Sequence, residues 1–115
     1  MFKFRLGILA VLFAIILSSC AGQTDQPAIE TPALPDAVEA AETRLSEELD
    51  VSVDEIEVIS FEEMEWPDAC LGYAEPGELC AQVLTPGWQI MLSVNGIQYE
   101  FHTDQTGEIM RWQRQ

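Results

Sequence analysis

Apolar and polar residues alternate most regularly between Trp88 and Thr103. Val94, Leu92, Ile90 and Trp88 run back from one side of Asn95-Gly96, and Ile97, Tyr99 and Phe101 run forward from the other. Asn-Gly between two alternating runs predicts a β-hairpin with a two-residue type I′ turn, because both central positions need a positive φ. That turn fixes the register. Val94 falls opposite Ile97, Leu92 opposite Tyr99, Ile90 opposite Phe101 and Trp88 opposite Thr103, which makes one apolar face. The other face pairs Ser93 with Gln98, Met91 with Glu100 and Gln89 with His102, and its polar character predicts a wet side.

Two weaker alternations flank the hairpin. Ile56 to Trp66 predicts a first strand with Ile56, Val58, Met64 and Trp66 on one face. Ile59 and Phe61 interrupt the opposite, acidic face, so the strand is expected to twist, to carry a bulge or to be covered on both sides. Glu108 to Gln113 predicts a last strand after the turn Asp104-Gln105-Thr106-Gly107; a four-residue turn would set Phe101 against Met110 and Tyr99 against Trp112. Upstream the period changes from two to between three and four. Val38, Ala41, Leu45 and Leu49 form one stripe, predicting a helix that starts at Asp36 as N-cap, with Glu39 completing a variant of the capping box. Asp50 to Asp54 is a short connection. The expected fold is therefore α+β, with one N-terminal helix packed on a four-stranded antiparallel sheet in the order α-β-β-β-β.

Between the first and second strands lies a stretch without period, Pro67 to Gly87, longer than the roughly 12–15 residues at which structureless loops become uncommon and usually functional. It contains Cys70 and Cys80 and two turn signals, Glu75-Pro76-Gly77-Glu78 and Thr85-Pro86-Gly87. The first suits a type II turn, with proline second and glycine third.

The N-terminus reads differently from everything after it. Lys3 and Arg5 precede an apolar run, Leu6 to Leu17, that ends in Ser18, Ser19, Cys20 and Ala21. This is the layout of an export signal, and it falls short of the ~20 apolar residues of a membrane span, although a retained anchor helix is the alternative. Residues 20–35 are small, polar and proline-rich, as in a flexible tether. The chain thus divides into a signal peptide (1–19), a tether (20–35) and one small domain (36–115).

Leu17-Ser18-Ser19-Cys20 resembles the lipobox of bacterial lipoproteins. The resemblance implies that Cys20 is diacylated and becomes the first residue of the mature protein, anchored to the cell membrane or outer envelope and facing away from the cytoplasm. Ser19 departs from the commoner Gly or Ala at its position. Two acyl chains anchor stably where one is marginal. With Cys20 assigned to lipid, Cys70 and Cys80 remain as an even pair in an exported chain, and a disulfide is expected. A metal site would need more soft ligands at closer spacing, and a redox pair would be Cys-x-x-Cys.

Charge removes several function classes. The chain carries −15 formally, and loss of residues 1–19 removes Lys3 and Arg5 and no acid, giving −17 with no lysine at all. Nucleic acid is excluded as a partner, since phosphate contacts come mainly from Lys and Arg. Anionic lipid headgroups would be repelled as well, so the membrane connection rests on the lipid. No catalytic residue, metal site or cofactor is expected. His102 is the only histidine and reads as a surface or edge residue with no acid placed to orient it, and there is no phosphate loop or H-E-x-x-H. Glu62, Glu63 and Glu65 read as a solvated face, because adjacent strand positions point to opposite sides. Asp104 to Glu108 lacks the alternating ligands of a calcium loop.

From Trp66 on, the chain resembles a group of small, functionally uncharacterised bacterial secreted proteins and lipoproteins. The shared pattern here is Trp66-Pro67-Asp68, Cys70-Leu71-Gly72, Glu75-Pro76-Gly77, Cys80, Gln82, Thr85-Pro86-Gly87-Trp88, Tyr99 and His102-Thr103-Asp104. More loosely, a helix followed by antiparallel strands is similar to the PepSY or cystatin-like arrangement, whose members are proposed to bind or restrain peptidases; topology alone does not transfer function. The expected function is a non-catalytic module that binds an envelope protein or peptide through loop 67–87, with Leu71, Gly72, Tyr73 and Trp88 as the contact residues. The alternatives are a structural envelope lipoprotein with no discrete ligand and a peptidase-inhibitor-like module.

Overall fold

The computed structural model describes residues 33–115. The segments read as signal peptide, lipidation site Cys20 and most of the tether fall outside the described residues. Helix α1 spans Asp36–Leu49 and a 3-10 turn covers Val53–Glu55; four strands follow, β1 Glu57–Trp66, β2 Thr85–Val94, β3 Ile97–Asp104 and β4 Met110–Arg114. They form one antiparallel sheet in the order β1-β2-β3-β4, so each strand pairs with the next in sequence.

The hairpin forms with the register that Asn95-Gly96 dictates, from Val94 opposite Ile97 to Trp88 opposite Thr103. Both turn residues have positive φ, 51° and 79°, as a type I′ turn needs. On the resulting apolar face Ile90, Leu92 and Phe101 are fully buried beneath Ala37, Val38, Ala41 and Leu45 of α1. Each Leu, Val or Ile so buried is worth roughly 1.5–3 kcal/mol, which makes this layer the main source of stability. Gly107 brings the β3–β4 turn against the helix: its φ is +81°, and a Cβ there would come within 2.7 Å of the Ala40 Cβ and 2.9 Å of the Ala37 Cα.

Four local expectations are corrected. Asp36 is not the N-cap; Pro35 holds that position with no side-chain cap, and the capping box forms instead at Ser52 and Glu55 of the 3-10 turn. Thr85-Pro86-Gly87 is not a turn but the start of β2, opposite Trp66, Glu65 and Met64. Pro86 is tolerated there because it lies at a strand start, and a side chain at Gly87 would run into the Thr103 carbonyl. In the β3–β4 connection Asp104 bonds the Ile109 carbonyl through its backbone N–H (3.0 Å) and accepts from the Gly107 N–H through Oδ1 (2.7 Å). The longer turn moves β4 by two residues, setting Phe101 opposite Trp112 and Thr103 opposite Met110. The shift is even, so the apolar face is preserved.

The fourth correction decides what the other side of the sheet does. A bulge between Val58 and Ser60 switches the parity of β1. Val58 and Phe61 share the helix side with Leu92 and Ile90, while Met64 and Trp66 turn to the side that carries His102. That side is not wet. The connection 67–84 folds back over it, leaving Trp66, Cys70 and His102 nearly buried and Leu71 fully buried.

Candidate functional site

Local geometry explains how the loop is held. Cys70 and Cys80 form a disulfide with a Cα separation of 5.6 Å. Asp68 Oδ1 accepts from the Cys70 N–H at 2.8 Å, closing a tight turn before the bridge. Leu71 (φ 58°) and Gly72 (φ 78°) are both left-handed. A leucine in that region costs on the order of 1–3 kcal/mol, and it persists only where its surroundings over-determine it. Here burial of the Leu71 side chain offsets the cost, and its carbonyl is aimed at His102. Further on, Gly77 (φ 80°) and the Glu78 N–H to Glu75 carbonyl bond (2.9 Å) complete the expected type II turn.

His102 is the centre of the seat. Its ring is stacked between Trp66 (centroids 4.0 Å apart) and Tyr73 (3.7 Å). Nδ1 lies 2.7 Å from the Leu71 carbonyl, which can only accept, so Nδ1 donates there. Nε2 lies 2.7 Å from Glu100 Oε1, and one proton is shared between the two groups. The Gln89 amide also donates to Glu100, at 2.8 Å. The Trp66 indole reaches past β2 to donate to the Thr103 carbonyl at 2.9 Å. A second clasp closes the loop on β4: Arg111 forms a fork to both carboxylate oxygens of Glu78 and donates to the Tyr73 carbonyl at 3.0 Å.

The electrostatics follow from these contacts. The hydrogen bond from His102, supported by Gln89, holds the Glu100 carboxyl below the usual carboxylate range despite its burial. Burial and the nearby Glu100 charge push the Tyr73 phenol up to about 12, so it stays neutral. A carboxylate depressed in the folded state stabilises fully above its unfolded value of about 4.3, and that contribution is lost as pH falls through the lower folded value. Unfolding by urea at a series of pH values should show stability falling below about pH 4.5. Glu100→Gln should flatten part of that fall; an unchanged slope would mean that Glu100 is not the group responsible.

The candidates read from sequence do not form one surface. Leu71 is fully buried and cannot contact a ligand as the domain stands. Gly72 is exposed, and Tyr73 is half-buried over His102. Trp88 lies on the opposite, helix side, half-buried and edge-on to Phe61 at 6.0 Å. The reading of His102 as a surface residue without an orienting acid is also corrected: Glu100, two positions earlier on the same face, is that acid. What the loop exposes instead is Leu79, with 98 % of its surface accessible, followed by Val83 and Leu84. Their apolar character without an alternating partner was the signal in the sequence.

Both ring nitrogens of His102 are engaged, one with the Leu71 carbonyl and one with Glu100. Asp68, Cys70 and Cys80 bring potential metal-ligand atoms together, but the two sulfurs are bonded to each other and are not thiolates. An open cleft of about 590 Å³ runs between the loop and β4, lined by Tyr73, Pro76, Glu78, Arg111 and Gln113 among others. Its guanidinium is already forked to Glu78.

Fold and site together define a small α+β domain whose sheet is covered by a helix on one side and by a disulfide-stapled loop on the other. The chain belongs to the family described as Domain of unknown function (DUF8738), which it matches over residues 38–112, helix through last strand. No curated protein and no solved structure matches it.

Proposed function

We propose that this chain is a lipid-anchored protein of the cell envelope that binds a protein or peptide without catalysis, through the outer half of the stapled loop. The observation that carries the reading is the exposure of Leu79 inside the Cys70–Cys80 ring, with Val83 and Leu84 beyond it. A side chain held on a cross-linked, doubly clasped loop loses little freedom on binding, which is the condition under which a few apolar contacts give useful affinity. The contact set is therefore moved from Leu71 and Trp88 to Leu79, Val83 and Leu84. Anchoring through Cys20 rests on the lipobox resemblance.

A pull-down from envelope extract tests the reading. A Leu79→Asp/Val83→Asp/Leu84→Asp bait should lose the partner that the unaltered chain retains, and identical capture by both would reject the loop as the binding surface. Recovery of the chain without acyl mass on Cys20 would remove the anchoring half of the proposal. The structural reading, with no discrete ligand, is favoured by one observation, the burial of Leu71 against the sheet.

A further inference from the structure

β1 is an edge of the sheet, ten residues long, and among the described residues the outward row of its backbone N–H and C=O groups has no partner strand. Such an edge templates pairing with another extended chain unless something discourages it. Here the discouragement is chemical and one-signed. Glu57, Glu62, Glu63 and Glu65 are all exposed along it. A second copy would set like charges against these four, which opposes self-pairing. A segment carrying positive charge meets no such barrier.

The side chains make the selection sharper. After the bulge, Phe61, Glu63 and Glu65 share the helix side of β1. Helix α1 packs over β2 and β3 and leaves this margin open, so Phe61 remains 40 % exposed. Next to it a cleft of about 300 Å³ is lined by Glu63, Glu65, Pro86, Trp88 and Gln105 among others. Two carboxylates and an indole at one cleft are suited to an ammonium or guanidinium group, through charge-assisted hydrogen bonds and cation–π attraction.

We propose that β1 accepts an extended, basic segment of a partner protein by strand addition, with Lys or Arg side chains entering the cleft of Glu63, Glu65 and Trp88 and an apolar side chain covering Phe61. In strand addition the main chain supplies affinity and alternate side chains supply specificity. Since Phe61, Glu63 and Glu65 are two residues apart, the matching segment places one apolar and two basic residues at alternate positions. This surface is separate from the exposed tip of the stapled loop, and the inference does not depend on that reading.

The probe is a fluorescein-labelled nine-residue peptide with Val, Arg and Arg at alternate central positions and Thr between them, titrated against the full chain in detergent by fluorescence anisotropy. Glu63→Lys/Glu65→Lys is expected to weaken binding at least tenfold, as is N-methylation of alternate backbone amides of the peptide. Phe61→Ser is expected to weaken it severalfold. The Leu79/Val83/Leu84 aspartate variant should bind the peptide unchanged, which separates this inference from the loop reading. Absence of binding overturns the proposal. So does binding indifferent to N-methylation, which would reduce the contact to surface charge, or to the double lysine change. A concentration-dependent dimer abolished by the lysine variant would make a second copy the occupant and would overturn it as well.

Discussion

Replacing His102 with alanine is expected to lower the stability of the domain by about 2–4 kcal/mol, on the order of what is lost when a buried hydrogen-bonding group is removed and its partners are left unsatisfied. The reason is the number of groups left behind. Glu100, with 16 % of its side chain accessible, would lose its shortest hydrogen bond and keep the Gln89 amide. The Leu71 carbonyl would lose its donor, and Trp66 and Tyr73 would face each other across a gap the width of a ring. Aromatic stacking adds roughly 0.5–1.5 kcal/mol per pair beyond area burial. Urea unfolding followed by tryptophan fluorescence measures the loss, and Trp66 should become more accessible to a collisional quencher before global unfolding. A loss below about 1 kcal/mol would mean that the loop does not depend on the ring.

Removing the bridge by Cys70→Ala/Cys80→Ala should cost roughly 3 kcal/mol, the chain-entropy value for a ring of this size. The same loss should follow when the unaltered chain is treated with a reductant. Because the disulfide and His102 hold the same segment, the combined variant should lose less than the sum of the two, with a coupling of about 0.5–3 kcal/mol in a double-mutant cycle. Far-ultraviolet dichroism should be largely retained, since α1 and the hairpin share a core in which the loop takes no part. Full additivity in the cycle would indicate two independent attachments.

The helix-side half of the molecule was legible because each of its elements announces itself locally. A 3.6-residue stripe in α1, alternation in the hairpin and an Asn-Gly turn all encode position through near neighbours. The stapled loop announced its disulfide and its Pro76-Gly77 turn in the same way. What it covers was not legible. The sheet face around His102 looks polar because its residues, Gln89, Glu100 and His102, bond one another and a loop thirty residues away, and alternation cannot distinguish a polar face bonded internally from one bonded to water. The interrupted pattern of β1 allows a bulge after Val58, yet the consequence for Trp66 depends on the count of inserted residues, which only pairing with β2 fixes. Leu71 misled for a related reason. A leucine in a loop next to glycine looks presented, whereas its left-handed backbone turns it inward.

The meander order of the strands gives the disulfide a kinetic role apart from equilibrium stability. Two of the three strand-to-strand connections are short, and only β1 and β2 must find each other across a long one, residues 67–84. Once Cys70 and Cys80 are joined, the path from Trp66 to Thr85 bypasses about half of that span. Halving a flexible loop lowers its closure cost by about 0.6 kcal/mol, roughly a threefold faster encounter of the two strands. Oxidation ahead of sheet assembly should therefore speed the pairing of β1 with β2, and the reduced chain should refold more slowly by about that factor.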